Sequence, residues 1–136
     1  MPITEVEKIW MNGELVDWSD AKIHVLSHGL HYGSGVFEGI RAYATARGPA
    51  VWHLDAHLDR MYASGAIYHM EIPFSKEELT QATKDVIHAN GLDSCYIRPI
   101  AFYGFKELGV SAKGNPAETV IITVGQQEGG ASASEA

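Results

Sequence analysis

Two short segments carry the residues best suited to hold a small anionic molecule. Read as an extended strand, residues 36–43 place Phe37, Gly39, Arg41 and Tyr43 on one face. Val36, Ile40 and Ala42 fall on the other, with Glu38 as the polar exception. A large ring, a gap and a guanidinium side by side suit a pocket wall that admits an apolar side chain next to an anion. Arginine is apt there because its planar fork pairs with carboxylate or phosphate through two parallel N–H donors. Residues 96–103 repeat the theme: Tyr96, Arg98, Ile100 and Phe102 point one way, Ile97, Pro99, Ala101 and Tyr103 the other. Strand geometry sets Tyr96 and Arg98 roughly 7 Å apart on their face. A solvated sheet face accounts for either strand alone; two strands with the same aromatic-plus-arginine face favour a site.

Arg60 is the third cation of interest. It lies early in a helix that the sequence starts near Asp55, where free backbone N–H groups attract anions. The plainer alternative is a solvated arginine, or one paired with Asp59. His24, His28 and His31 have the i, i+4, i+7 spacing that would align three imidazoles on a helix face, as a zinc site needs. Gly29, Gly33 and Gly35 interrupt the same stretch, so loop histidines bonded to backbone are expected, with a metal site as the alternative. Gly33-Ser34-Gly35 with Gly39 misses the dinucleotide fingerprint, because the last glycine is one residue late and the run precedes a strand. Close backbone approach to a ligand or another strand accounts for it better.

These residues need a scaffold. Asn12-Gly13 between two short runs is a hairpin signal. Residues 22–35 read mainly as loop, 36–43 as a strand, and Arg47-Gly48-Pro49 as the turn into a second strand over 50–53. A first helix, capped by Asp55, buries Leu58, Met61, Tyr62, Gly65 and Ala66, and Pro73 punctuates its exit. Ser75 and Glu78 form a capping-box pattern with Phe74 and Leu79 as a staple. That second helix buries Leu79, Ala82, Val86 and Ile87 and stops at Asn90-Gly91. Residues 95–103 and 119–124 return to strand, and Pro99 makes the former an edge strand or a bulged one. The expected fold is α+β, mainly an antiparallel sheet with two helices packed on one face. Residues 1–124 form the domain, and the Gly/Ser/Ala-rich 125–136 a flexible tail.

Composition narrows the function classes. A length of 136 residues fits one domain or one lobe of something larger. A net charge of −7 argues against nucleic acid as a partner. No apolar run is long enough to span a membrane, and no signal-peptide core opens the chain. The lone Cys95 cannot form an internal disulfide, which points to the cytoplasm. Apolar residues at 46 % with 20 % charged exclude a disordered chain.

Five stretches together resemble a known family: Ile9-Trp10-Met11-Asn12-Gly13, residues 27–33 (SHGLHYG), 36–41 (VFEGIR), His57-Leu58-Asp59-Arg60 and Tyr96-Ile97-Arg98-Pro99. The chain resembles the N-terminal small domain of branched-chain amino acid aminotransferases, pyridoxal-phosphate enzymes of fold type IV. Tyr-Ile-Arg-Pro favours this branch over the D-amino-acid and lyase relatives.

The resemblance implies roles residue by residue. Arg60 would bind the phosphate of pyridoxal 5′-phosphate. Phe37 and Gly39 would line the pocket for the substrate side chain, and Tyr96 and Arg41 would organise its carboxylate end. Arg98 would receive the distal carboxylate of 2-oxoglutarate or glutamate, and Leu, Ile and Val would be the amino donors. Tyr32 and Val110 would reach into a neighbouring subunit's pocket, so a homo-oligomer is implied, and the histidines lose their claim to metal. The chain departs from the family after Val124, where Gln126-Gln127-Glu128-Gly129 replaces an aromatic, proline-containing segment. The family's second domain supplies the Schiff-base lysine, and none of Lys8, Lys22, Lys76, Lys84, Lys106 or Lys113 matches its motif. No catalytic residue is therefore assigned here, and the isolated chain is expected to be inactive. A stand-alone small-anion binding module and a histidine metal protein are the alternatives.

Overall fold

A computed structural model describes residues 3–106 and 108–125. The chain begins with the hairpin its Asn-Gly pair predicts. Strands β1 (Lys8–Met11) and β2 (Glu14–Asp17) join through Asn12 and Gly13, both at positive φ. Residues 22–35 are less irregular than expected, because they contain a short helix α1 (His28–Tyr32). The strand expected over 36–43 is split into β3 (Gly35–Phe37) and β4 (Ile40–Thr45). Strand β5 (Gly48–Val51), helices α2 (Leu54–Ile67) and α3 (Lys76–Ala89), and strands β6 (Cys95–Tyr103) and β7 (Ala117–Gly125) complete the order. The expected tail falls outside the described residues, apart from Gly125, which still pairs with Cys95 in the sheet.

All seven strands form one antiparallel sheet in the order β2-β1-β7-β6-β4-β5, with β3 also on β6. Helices α2 and α3 cover one face. Their Leu58, Leu79 and Val86 pack onto Trp10, Ile40, Ile97 and Ile121 of the strands. The period-2 pattern of β6 and the 3.6 pattern of α3 point into this same layer, giving the α+β architecture expected. Burial pushes the Cys95 thiol up to about 11, as suits a sulfhydryl within the core.

Several local expectations need correction. Strand β6 is central, paired with β7 on one side and with β3 and β4 on the other, and Pro99 does not make it an edge. A residue in an antiparallel ladder aims its N and O to the same side. Glu38 N donates to Pro99 O at 3.1 Å, so the missing Pro99 N–H also faces Glu38. The defect falls in the gap between β3 and β4, which is why the expected strand is broken there. Register survives the gap: Phe37 pairs with Ile100 and Ile40 with Ile97, three residues further along each strand.

Helix α2 starts at His53, whose φ of 53° puts it in the left-handed region, so Asp55 is not its cap. Asp55 and Asp59 instead both pair with Lys76 at the start of α3. The helix ends at Ile67, well before Pro73, and Ala66 is exposed. The capping box of Ser75 and Glu78 forms as expected.

Asn90 ends α3 and also fastens it to the sheet. Its Oδ1 accepts from Lys8 N at 2.7 Å, and its Nδ2 donates to Lys8 O at 3.0 Å and Thr123 Oγ1 at 2.9 Å. Asn90→Ala should therefore destabilise by about 2–3 kcal/mol, since several polar groups lose partners together. Ser75→Ala, which loses a local cap, should cost about 1 kcal/mol. Urea unfolding followed by circular dichroism measures both, and an equal cost would deny Asn90 its bridging role.

Candidate functional site

Strands β3, β4 and β6 bring most of the expected site residues onto the sheet face away from α2 and α3. Phe37, Gly39, Arg41 and Tyr43 are exposed there, while Val36, Glu38, Ile40 and Ala42 are buried beneath. The alternation predicted for one strand holds across the gap because no residue is inserted or lost. Arg41 is the cross-strand partner of Tyr96. The Arg98 guanidinium lies over the Phe37 ring, 4.2 Å from its centroid, a favourable contact of a cation with a π face. Its Nη2 and Nε donate to the Tyr96 hydroxyl at 2.6 and 3.2 Å. Gly39 makes this possible, for a Cβ there would lie 2.7 Å from the Tyr96 hydroxyl and displace it. The surface combines a ring, a gap and the outer edge of a fixed guanidinium, and can meet aliphatic and anionic groups alike.

Arg60 stands apart from this group, on the helical side. It pairs with Glu38 rather than Asp59, Nε donating to Oε2 at 2.9 Å and Nη2 to Oε1 at 2.7 Å. His57 Nδ1 donates to the same Oε1 at 2.8 Å. Glu38 is only 4 % exposed, whereas the Arg60 side chain is 68 % exposed. The buried carboxylate thus grips one edge of the fork and leaves the rest of the guanidinium outward. Hydrogen bonding from Arg60, opposed by burial and helped by His57, holds the Glu38 carboxyl below the usual carboxylate range. Sequence reading missed Glu38. The available signal was a carboxylate on the apolar face of a strand, which must find a donor, together with His57 and Arg60 three apart on one helix.

Tyr32 and Val110 form a third group, at the far end of β6, and both are exposed. They meet through His28, whose ring stacks at a tilt on Tyr32 and bonds the Val110 carbonyl. The other two histidines also bond backbone. His31 Nε2 donates to Val25 O at 2.8 Å, and His24 Nδ1 accepts from Leu26 N at 3.0 Å. Among the described residues no three His, Cys, Asp or Glu side chains are grouped to hold a metal ion. The glycines of this stretch allow close approach to a strand, since a Cβ on Gly29 or Gly35 would come within 3.1 Å of the Phe102 Cβ.

The family model for amino-transferase class IV matches residues 35–135. The chain belongs to the class IV aminotransferases. The branched-chain-amino-acid aminotransferase of Pseudomonas aeruginosa is 50 % identical over 113 residues, covering 83 % of this chain and 37 % of that protein. That of Escherichia coli K12 is 45 % identical over 122 residues, covering 90 % and 40 %. The crystal structure of a T.th. branched-chain amino acid aminotransferase superposes with a TM-score of 0.87 at 51 % identity, covering 90 % of this chain and 42 % of that one. The same T.th. enzyme has also been solved with 4-methylvaleric acid, with pyridoxamine 5′-phosphate and with N-(5′-phosphopyridoxyl)-L-glutamate. This class IV chain thus spans about 40 % of the length of the curated relatives it matches. No helix among its described residues is long and apolar enough to cross a membrane.

The Glu38 clamp has a pH signature. A carboxyl whose folded pKa is depressed contributes stability that is present above its unfolded pKa, about 4.3. That contribution is lost as pH falls through the lower folded value. Glu38→Gln should be less stable than wild type at neutral pH, on the order of 1–3 kcal/mol, because a buried charged acceptor shared by Arg60 and His57 becomes an amide that offers only one acceptor oxygen. The difference should shrink as pH drops below about 4. Urea titrations across that range measure it, and a difference independent of pH would mean the carboxylate charge is irrelevant.

Proposed function

We propose that this chain forms one wall of the substrate and cofactor pocket of a branched-chain amino acid aminotransferase. The reaction moves an amino group between Leu, Ile or Val and 2-oxoglutarate, giving glutamate. Residues 1–124 act as the small domain, and the Schiff-base lysine comes from a second domain. The observation that carries the reading is the Arg98 guanidinium stacked on Phe37 and held by Tyr96 above the gap at Gly39. One pocket must accept a branched aliphatic side chain in one half-reaction and a carboxylate in the other. A guanidinium laid flat on a ring offers its stem and face to the first and its N–H edge to the second. The ligands of the T.th. relative, a branched acid and a glutamate derivative, support the same pairing.

Pyridoxal 5′-phosphate, when bound, supplies the electron sink for charge at the substrate α-carbon. Arg60 fits its phosphate, because Glu38 fixes the guanidinium while leaving an outer edge exposed. Arg41, beside Tyr96, serves the substrate carboxylate. The six lysines of this chain lack the family's Schiff-base motif, so activity is measured on the complete enzyme.

Arg98→Ala in that enzyme should leave the Leu, Ile and Val half-reaction nearly intact. The 2-oxoglutarate half-reaction should lose about 10- to 150-fold in kcat/KM, the worth of charged hydrogen bonds. Single-turnover kinetics in each direction separate the two, and equal losses would make Arg98 structural.

A homo-oligomer is part of the same proposal. Leu30 at 63 % exposure, Val25 at 66 %, Val110 at 76 % and Leu108 at 80 % stand out around α1 and the segment joining β6 to β7, and such patches drive association. Light scattering should find dimers or larger species; a monomer at high concentration would count against it.

A further inference from the structure

Tyr32 and Val110 are far apart in sequence, yet one imidazole touches both. His28 is 5 % exposed. Its Nε2 lies 2.7 Å from Val110 O, its Nδ1 2.6 Å from Ser34 Oγ, and its ring centroid 4.7 Å from that of Tyr32. These contacts fix the tautomer. A carbonyl oxygen only accepts, so Nε2 carries the proton and donates to Val110 O. In the neutral ring Nδ1 then accepts from the buried Ser34 hydroxyl.

Backbone bonds hold the ring's surroundings. His28 N donates to Gly104 O at 3.1 Å, and Tyr103 N donates to Ser34 O at 3.1 Å, so α1, Ser34 and the end of β6 are tied together. The segment from Gly104 to Pro116 is closed at its ends, Gly104 N donating to Pro116 O and Lys106 N to Asn115 Oδ1. Val110 lies in its middle, and the His28 bond fastens that middle to α1.

The geometry points to His28 as a positioning residue: its Nε2–H latches the Val110 backbone to α1, so that Val110 and Tyr32 are presented together. The latch deepens the proposed function, and rests on the reading in which these two residues enter a neighbouring subunit's pocket. The ring itself reaches no substrate. It acts through the segment it holds, and its specific requirement is a donor at the Nε2 position.

The tautomer is read on the unaltered chain. Long-range proton–nitrogen correlation spectra of histidine-labelled protein should find His28 with its proton on Nε2. An Nε2 without a proton would overturn the latch. Two variants then separate donor from filler. His28→Gln keeps an amide N–H near the Nε2 position, whereas His28→Asn keeps one only near Nδ1. Trypsin cleavage after Lys113, in the same segment as Val110, should be roughly threefold to tenfold faster in His28→Asn, the effect of one lost hydrogen bond. In His28→Gln it should stay close to wild type. Equal acceleration in both variants, or none in either, would reduce His28 to packing and overturn the proposal. Failure of the pocket reading is seen elsewhere, as an unchanged KM for Val110→Ala and Tyr32→Ala in the complete enzyme.

Discussion

A buried carboxylate opposite a proline organises this domain. Pro99 sits in the middle of the central strand β6 and can donate nothing to its neighbour. The ladder opens there, between β3 and β4, at Glu38 and Gly39. Glu38 points into the layer beneath the helices, where an unpaired carboxylate would be expensive. Helix α2 answers with His57 and Arg60. One side chain thus sets the direction of the Arg60 fork, while Leu58 and Met61 pack α2 onto the sheet.

The next residue of the same gap serves the other face. Gly39 has no side chain, and the Tyr96 hydroxyl occupies the space one would need. Tyr96 holds Arg98, and Arg98 lies on Phe37. Two adjacent residues thus govern two cation sites on opposite sides of one sheet. Such a site built on paired strands keeps its geometry better than one built on loops, since register and packing fix each side chain. Strand alternation sends Glu38 and Gly39 to opposite faces.

Two of the domain's arginines are each fixed by a neighbouring side chain, Arg60 by Glu38 and Arg98 by Tyr96. The His28 contact with Val110 follows the same pattern at the far end of β6. Removing such a neighbour would leave the functional group present but free to turn, which weakens a preorganised contact without abolishing it.

Sequence alone determined the architecture and the faces. Period-2 alternation, the Asn-Gly turn and the Ser75 capping box are local, so each is legible without knowing what packs against it. The same alternation placed Phe37, Gly39 and Arg41 together, and Tyr96 with Arg98, before any strand was paired. What the sequence did not disclose depended on partners distant along the chain. Pro99 reads as an edge or bulge signal until the direction of its missing N–H is known. The sequence offers Arg60 an anion, solvent or Asp59 but not Glu38, which comes from the gap between β3 and β4. The three histidines share a metal-like spacing, yet Ser34, Val25 and Val110 claim two of their rings for other bonds. Tertiary structure decides such cases because a hydrogen bond is chosen by distance and direction in space, and neither is written in the spacing of residues along a chain.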